Sequence, residues 1–282
     1  MNLVANADDA GVDDPRNQGI LRAARCGSVR SASLLAGFPA ASSFVVDCRA
    51  VPALSVGLHF NITEGLPLVA GHRTLTGSDG RFLGKREAFR RALAGLLDER
   101  EVVRELEAQW LLAEMLLGQA PSHVDGHNHA HLFPGAAEAL AGFLPERTWT
   151  RGVLPRPGCA APPPAAESDP YACPAGLRAA LESLTKRALD VGWRRFRLAD
   201  RLEGLDLLES SSLEDYLRII DSIPTGAGVV ELMTHPGLCS TSSVPFSAAP
   251  GRERELATLC DPRLAERCRA RGVDIKGFGD LS

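Results

Sequence analysis

The chain has 282 residues, of which 45% are hydrophobic and 23% charged, as in ordinary globular proteins. This composition excludes intrinsic disorder as the main state, and it excludes collagen and coiled coils. The formal net charge of -4 and the 5% aromatic content predict neither a basic surface for nucleic acid nor rows of stacking residues for single strands.

The N-terminus and the cysteines indicate the compartment. The opening MNLVANADD has no basic or apolar signal region, and no segment approaches the ~20 apolar residues of a membrane helix. The chain has an odd number of cysteines, seven, and no C-x-x-C motif. We therefore expect free thiols in a reducing cytoplasm. Cys159 and Cys173 flank a Pro-rich segment, and their spacing does not decide whether they pair. No membrane partner is expected.

The first predicted element is a short buried strand at residues 3–7, which runs into Asp8-Asp9. Asp14-Pro15 is typical of a helix start and Gly27 of a helix end, so a helix is predicted between them. The elements that follow are a strand at 31–36, a helix at 40–50, a strand at 55–61, a loop with an Asp79-Gly80 hairpin turn at 62–86, a helix at 99–117, a strand-like segment at 121–131 and a helix at 135–144.

The helix at 99–117 has the clearest pattern of the chain, because apolar residues recur every three or four positions. Residues 152–176 are rich in Pro and Gly and are predicted to form a loop. The elements predicted after it are helices at 177–191 and 213–223, a strand at 228–233, a helix at 252–271 and a strand at 272–275.

Strands and helices alternate along the whole chain, without a short internal repeat. This order predicts a parallel sheet with crossover helices, in a single α/β domain over residues 1–282. Seven or so strands fit a (β/α) barrel better than a small open sheet. Catalytic residues of such barrels lie at the C-terminal ends of the strands, and the unusual polar clusters of this chain all follow predicted strands.

The most informative segment is HVDGHNHAH at 123–131, which holds four of the seven histidines. Alternate residues of a strand share a face, so His123, Asp125 and His127 are expected to point the same way. Neighbours on that face lie about 6.5–7 Å apart, whereas a metal holds each ligand at about 2 Å. One or two of these histidines can therefore bind one ion, and its other ligands must come from elsewhere.

Other candidates follow other strands. Asp8 and Asp9 are adjacent carboxylates directly after a buried strand, whereas Asp13-Asp14 is expected to be a solvated helix entry. His59 ends an apolar strand. Such a histidine is usually a core residue, but the Asp pair and the histidine cluster at equivalent strand ends make it a candidate ligand. One carboxylate and two imidazoles would leave a divalent ion an open position, which is typical of a catalytic site. His235, before Pro236-Gly237, is either a turn residue or a general acid.

These segments together resemble the YdjC-like carbohydrate deacetylases over nearly the whole chain. The matching motifs are NADDAG at 6–11, SASLL at 31–35, GLHFN at 57–61, EGLPL at 64–68, ELEAQ at 105–109, PSHVDGHNHAH at 121–131 and ELMTHPG at 231–237. Two positions depart from the family pattern. Ala10 stands where the family has Phe, and Arg151 is followed by Gly-Val-Leu-Pro rather than by a Pro within two residues.

The resemblance implies an incomplete (β/α) TIM-like barrel related to polysaccharide deacetylases. It implies that Asp9, His59 and His127 bind one divalent metal, Mg²⁺ or Zn²⁺, that Asp8 is the catalytic base and that His235 is the acid. The implied reaction is hydrolysis of N-acetyl groups of amino sugars or oligosaccharides, with release of acetate. A homodimer is also implied.

Two other functions remain open at this point. The chain could be a non-catalytic metal- or sugar-binding protein, although all five implied site residues are present. It could also carry out the same chemistry on a different amide or ester, because fold and metal do not determine the substrate. The loops at 71–84 and 155–174 are expected to border the substrate cleft, since both follow strands. His235 is expected on the opposite side of the site from Asp8.

Overall fold

The computed structural model describes residues 1–155, 171, 174–205, 207, 212–224, 226–239 and 250–281. Most of the loop predicted at 155–174, with Cys159 and Cys173, lies outside the described residues. The strands are β1 (Asn2–Ala10), β2 (Ser31–Leu34), β3 (Ser55–Phe60), β4 (His123–Gly126), β5 (Trp149–Thr150), β6 (Arg201–Glu203), β7 (Val229–Thr234) and β8 (Asp274–Ile275). The helices are α1 (Asp14–Arg25), α2 (Ala41–Cys48), α3 (Lys85–Leu93), α4 (Glu99–Leu117), α5 (Ala136–Phe143), α6 (Pro174–Asp190), α7 (Leu213–Ser222), α8 (Gly251–Leu259) and α9 (Pro262–Ala270). Within the described ranges, no helix has the length and apolar character needed to cross a membrane.

The strands form one sheet in the order β5-β4-β3-β2-β1-β7-β6, and β8 pairs with the start of β1. The described strand pairs, such as β1 with β7 and β3 with β4, are parallel. Parallel strands need crossover connections, which the intervening helices provide. The predicted incomplete (β/α) barrel is confirmed.

The residues pack into two compact units, one made of residues 1–57 with 199–282 and the other of 58–198. In the first unit, β1 is hydrogen-bonded to β7 along six residue pairs, and its residues from Leu3 onward are buried. This continuous burial explains the apolar run at the N-terminus, because a central parallel strand is covered on both faces. The single domain predicted over 1–282 stays a prediction.

In the second unit, α4 has the predicted bounds, with Asp98 as its N-cap and Gly118 in the left-handed conformation at its end. Its buried face differs from the predicted apolar stripe. Val102, Leu106 and Ala113 are buried as expected, whereas Val103, Trp110 and Leu117 are only half-buried. The remaining buried positions of the helix are polar, namely Glu101, Glu105 and Gln109.

The buried carboxylates of α4 hold the segment at 68–74. Glu105 accepts hydrogen bonds from the backbone N–H groups of Leu68 and Val69, at 2.9 and 3.0 Å. Glu101 accepts from those of Arg73 and Thr74, at 2.8 and 2.9 Å. A buried carboxylate is stable only when hydrogen bonds replace its water, and here backbone donors do so. The amphipathic pattern therefore predicts the helix correctly but not the role of this face.

Several predicted boundaries were wrong. The predicted helix at 252–271 is two helices, α8 and α9, because Asp261 caps a new helix that has Pro262 in its first turn. The N-cap of α1 is Asp13 rather than Asp14, and its carboxylate accepts from the N–H of Arg16 at 2.8 Å. Helix α3 and strands β5 and β6 were not predicted. The hairpin turn at Asp79-Gly80 is confirmed by an antiparallel bridge between Thr76 and Phe82.

One close backbone approach in the first unit gives a stability prediction. A Cβ at Gly19 of α1 would lie 2.4 Å from the Cα of Gly237. Gly19→Ala is therefore expected to destabilise the protein by about 1–3 kcal/mol through overpacking, in spite of the better helix propensity of Ala. Urea unfolding followed by circular dichroism measures the change. The matched control is Gly142→Ala in α5, where an added Cβ would meet nothing within 4 Å. Equal stability of the two variants would show that the Gly19 contact imposes no constraint.

Candidate metal and catalytic site

The Asp8-Asp9 pair lies at a bulge near the end of β1. Ala7 pairs with Ala32 and Ala10 with Leu34, so three steps along β1 match two steps along β2. Asp9 has a φ of 67°, which is a left-handed backbone conformation that a non-glycine residue adopts at a cost of order 1–3 kcal/mol. A bulge interrupts the alternation that would send adjacent side chains to opposite faces, and bulges are frequent beside active sites.

The two carboxylates have different partners in the first unit. The side-chain amide of Asn6 donates to Oδ1 of Asp8 at 2.7 Å and to Ser33 at 2.8 Å. The guanidinium of Arg252, on α8, donates to Oδ2 of Asp9 at 3.0 Å. Both carboxylates are 2% exposed, so these contacts replace water that burial removed. Asp8 is held by a neutral group and Asp9 by a cation, which gives the adjacent acids distinct environments.

His235 follows β7 and lies beside Asp8, with its Nε2 3.8 Å from Oδ2 of Asp8. The expectation that it stands opposite Asp8 was therefore wrong. Its backbone is fixed at both ends, since its N–H donates to Glu255 at 2.8 Å and its carbonyl accepts from Arg16 at 3.2 Å.

The surroundings of His235 determine its charge. Burial, together with the positive charges of Arg252 and Arg16, lowers the pKa of His235 to about 4, against the opposing effect of Asp8. The imidazole is therefore neutral at pH 7. A neutral imidazole can accept a proton at this pH, but it must be protonated before it can act as a general acid.

In the second unit, His59 at the end of β3 is oriented by Asp125 of β4. Nδ1 of His59 lies 2.7 Å from one oxygen of Asp125, and the other oxygen lies 2.7 Å from the guanidinium of Arg151. Burial alone would raise the pKa of Asp125, but the positive charge of Arg151 and the hydrogen bond from His59 hold it well below its usual range. Ionised Asp125 favours the tautomer with the proton on Nδ1, so the lone pair of His59 lies on Nε2. Arg151 thus supports His59 through Asp125.

The histidines at 127, 129 and 131 have different surroundings. His127 lies immediately after β4, and its ring meets that of His59 edge-on, with centroids 5.5 Å apart. The chain then turns sharply, because Asn128 and His129 both have positive φ. His131 is fully buried, stacks on Trp193 and lies 3.0 Å from the carbonyl of Arg151 through its Nε2. The strand-like segment predicted at 121–131 is therefore a strand only at His123–Gly126, and the turn follows directly after His127.

Three of the predicted residues carry side chains that bind metals in proteins. Asp9 in the first unit and His59 and His127 in the second are all buried. Asp125 is less suited to bind a metal, because it already contacts Arg151 and His59. Two imidazoles and one carboxylate fit a divalent ion such as Zn²⁺, and Asp125 orients one imidazole as metal-binding histidines require.

Sequence reasoning missed several residues that surround these groups. Arg252 and Glu255 lie in a segment predicted only as a helix, and no spacing or motif distinguished them. The sequence indicated Asn6 only as part of the NADDAG motif. It indicated Asp125 only as a residue that shares a strand face with His123 and His127. A buried carboxylate is expected to have a cationic or hydrogen-bonding partner. The sequence does not identify that partner here, because the two residues are far apart along the chain.

Comparisons with known proteins agree with the resemblance. The family described as YdjC-like protein matches residues 2–270. A carbohydrate deacetylase from Homo sapiens is 33% identical, over 100% of this chain and 91% of the relative. A chitooligosaccharide deacetylase from Yersinia pestis (strain Pestoides F) is 28% identical, over 99% and 98%. A solved structure from Enterococcus faecalis V583, a "putative cellobiose-phosphate cleavage protein", has the same fold, with a TM-score of 0.76 at 22% identity over 100% of both chains. The chain belongs to the YdjC-like family.

Proposed function

We propose that this protein is a metal-dependent hydrolase that removes N-acetyl groups from acetylated amino sugars or oligosaccharides and releases acetate. Two observations support the proposal: the adjacent buried imidazoles of His59 and His127 in the second unit, and Asp8 beside His235 in the first. Relatives named carbohydrate deacetylase and chitooligosaccharide deacetylase support the choice of substrate class.

Asp9, His59 and His127 would hold one divalent ion. Bound there, such an ion would supply Lewis acidity to the acetamide carbonyl and make water a better nucleophile. The two imidazoles favour Zn²⁺, whereas Mg²⁺ prefers oxygen ligands, and we keep both as alternatives for the assay.

Asp8 acts as the base that takes a proton from the attacking water. Because Asn6 already donates to Oδ1, the oxygen that receives the proton is Oδ2, which faces His235. The oxygen of water bonds to the acetamide carbon, and the C–N bond then breaks. The amine nitrogen must gain a proton as it leaves.

His235 gives that proton to the amine. Since the ring is neutral at pH 7, the proton has to reach it during the reaction, and Asp8 is the neighbouring source. The distance of 3.8 Å between Nε2 and Oδ2 is about 1 Å longer than a hydrogen bond, so transfer requires the two side chains to approach each other. One proton thus passes from water to Asp8, then to His235 and finally to the amine.

The orienting role of Asp125 gives a prediction about metal affinity. Asp125→Asn keeps the shape of the side chain but removes the charge that holds the proton on Nδ1 of His59. The variant is expected to bind the metal about 10–100-fold more weakly, because loss of such an orienting carboxylate typically has that effect. Competition with a chromophoric chelator measures the affinity. The matched control is Asp200→Asn, at an exposed carboxylate that accepts from the backbone of Gly228. Unchanged affinity in both variants would contradict the role of Asp125.

The test of the proposed function is an acetate-release assay on the purified protein after dialysis against chelator. N-acetylglucosamine, chitooligosaccharides and an aryl acetate are tested, with Zn²⁺ or Mg²⁺ added back. Metal-dependent release from the acetamido sugars is expected. Metal binding without release from any compound would indicate a non-catalytic binding protein, and release from the aryl acetate alone would indicate an esterase.

Two further properties belong to this proposal. We infer a cytoplasmic location and a homodimer, both of which stay predictions. Cell fractionation and light scattering coupled to size-exclusion chromatography measure them directly.

A further inference from the structure

Two thiols in the first unit meet where two helices end. Cys26 is the C-cap residue of α1, and Cys260 is the C-cap residue of α8. Their Sγ atoms are 2.8 Å apart, so the two sulfurs are in direct contact although 234 positions separate them in sequence. We assign no catalytic or metal-binding role to either cysteine.

The backbone around both thiols is fixed by the helices themselves. The N–H of Cys26 donates to the carbonyl of Arg22 at 3.1 Å, and that of Cys260 to Leu256 at 3.0 Å. The hydroxyl of Ser28 donates to the carbonyl of Leu259 and ties the same two helix ends together. The approach of the sulfurs therefore depends on helix packing rather than on a surface loop.

We propose that Cys26 and Cys260 form a reversible disulfide when the protein meets a small-molecule disulfide such as oxidised glutathione. The thiolate of Cys26 attacks one sulfur of that disulfide and releases one small thiol, which leaves a mixed disulfide on Cys26. Cys260 then loses its proton, its thiolate attacks the sulfur of Cys26, and the second small molecule leaves as a thiolate that takes up a proton. Two protein thiols are oxidised, and one small disulfide is reduced to two thiols.

The environments of the two cysteines set this order. Cys26 is exposed, so it meets the oxidant first, whereas Cys260 is half-buried. Burial, and then the neighbouring Cys26 sulfur, raises the pKa of Cys260 to about 12, so this thiol stays protonated in water at neutral pH. It becomes the second nucleophile once the mixed disulfide is beside it. The thiolate, not the thiol, is the attacking species in both steps.

The bond would join two helices that carry partners of the candidate site. Helix α1 provides Arg16, which donates to the carbonyl of His235, and α8 provides Arg252 and Glu255. The closed loop would span residues 26–260, and a loop of that length greatly restricts the unfolded chain. The oxidised protein is expected to melt roughly 4–10 °C above the reduced protein.

The test uses the full-length protein, incubated either with oxidised glutathione or with dithiothreitol. Oxidised samples are alkylated and digested without reduction, and linked peptides are identified by mass spectrometry. A Cys26–Cys260 peptide is expected as the main product, reversed by dithiothreitol and accompanied by the rise in Tm.

Three serine variants make the result specific. Cys26→Ser should lose the linked peptide and the rise in Tm, whereas Cys239→Ser, at another exposed cysteine, should keep both. Cys260→Ser should accumulate glutathione on Cys26 because no resolving thiol remains. The proposal is overturned if no Cys26–Cys260 peptide forms, if other pairs dominate, or if Cys26→Ser shows the same rise in Tm as the wild type.

Discussion

His59→Ala is expected to abolish metal retention and to lower kcat/KM for acetamido sugars by at least about 10³-fold, because Lewis-acid stabilisation of the transition state amounts to several kcal/mol. Activity on an aryl acetate should fall together with activity on the amide. The fold should survive, since Asp125 keeps its ion pair with Arg151 when the imidazole is removed. Metal content after dialysis, measured by mass spectrometry, and paired kinetics on both substrates test the prediction.

The controls for this experiment come from the same histidine segment. His127→Ala should behave like His59→Ala, whereas His129→Asn should retain the metal. Asn is chosen at this position because it tolerates the positive φ of 59°. His131→Ala is expected to keep the metal but to lose stability, because it removes a buried ring stacked on Trp193. Metal loss in His131→Ala with full retention in His127→Ala would refute the proposed ligand set.

His235→Ala is expected to keep the metal and the fold while kcat for the amide falls by roughly 10²–10⁴-fold, the range typical of general acid–base catalysis. The loss should be smaller for an aryl acetate, because a phenolate leaves without prior protonation. The backbone contacts of this residue to Glu255 and Arg16 do not depend on its side chain, so Ala should preserve the local structure. The measurement is kcat on both substrates, with metal content determined in the same samples.

The outcome distinguishes three roles for His235. A selective loss on the amide supports proton donation to the amine. Metal loss would make His235 a ligand. An equal loss of activity on both substrates would indicate that His235 acts before the leaving group departs. A matched variant, Asp8→Asn, should lose activity on both substrates with the metal retained, since Asp8 is proposed to act on water.

Much of the fold could be predicted because local patterns specify it. The apolar period and the final Gly118 predicted α4 to the residue, and the apolar runs before Asp8 and His59 located β1 and β3, although β1 continues past the predicted end at residue 7 to Ala10. Strands β5 and β6 have two and three residues, too few for any periodicity to register. Helix α3 was missed because its nine residues include five charged ones and only a narrow apolar face.

The candidate site could be predicted in part for a similar reason. Its proposed ligands lie in the last two residues of a strand or directly after one, and strand ends can be located from sequence. The groups that position them cannot be located in this way. Arg252 is 243 positions from Asp9, and Glu255 of the same helix α8 contacts the backbone of His235, so only the folded chain shows these pairs. Backbone strain at Asp9 likewise has no signal in residue type, since Asp is ordinary in most conformations.

The buried carboxylates of α4 have a consequence for how this surface can evolve. Glu101 and Glu105 recognise the main chain of residues 68, 69, 73 and 74, and a backbone N–H is the same in every amino acid except proline. The side chains at Leu68, Val69 and Arg73 are therefore free to change without loss of these anchors. Mutation can alter the chemical character that the segment presents to its surroundings while its path stays constant. In this architecture the shape of the segment and the chemistry of its side chains can therefore change independently of each other.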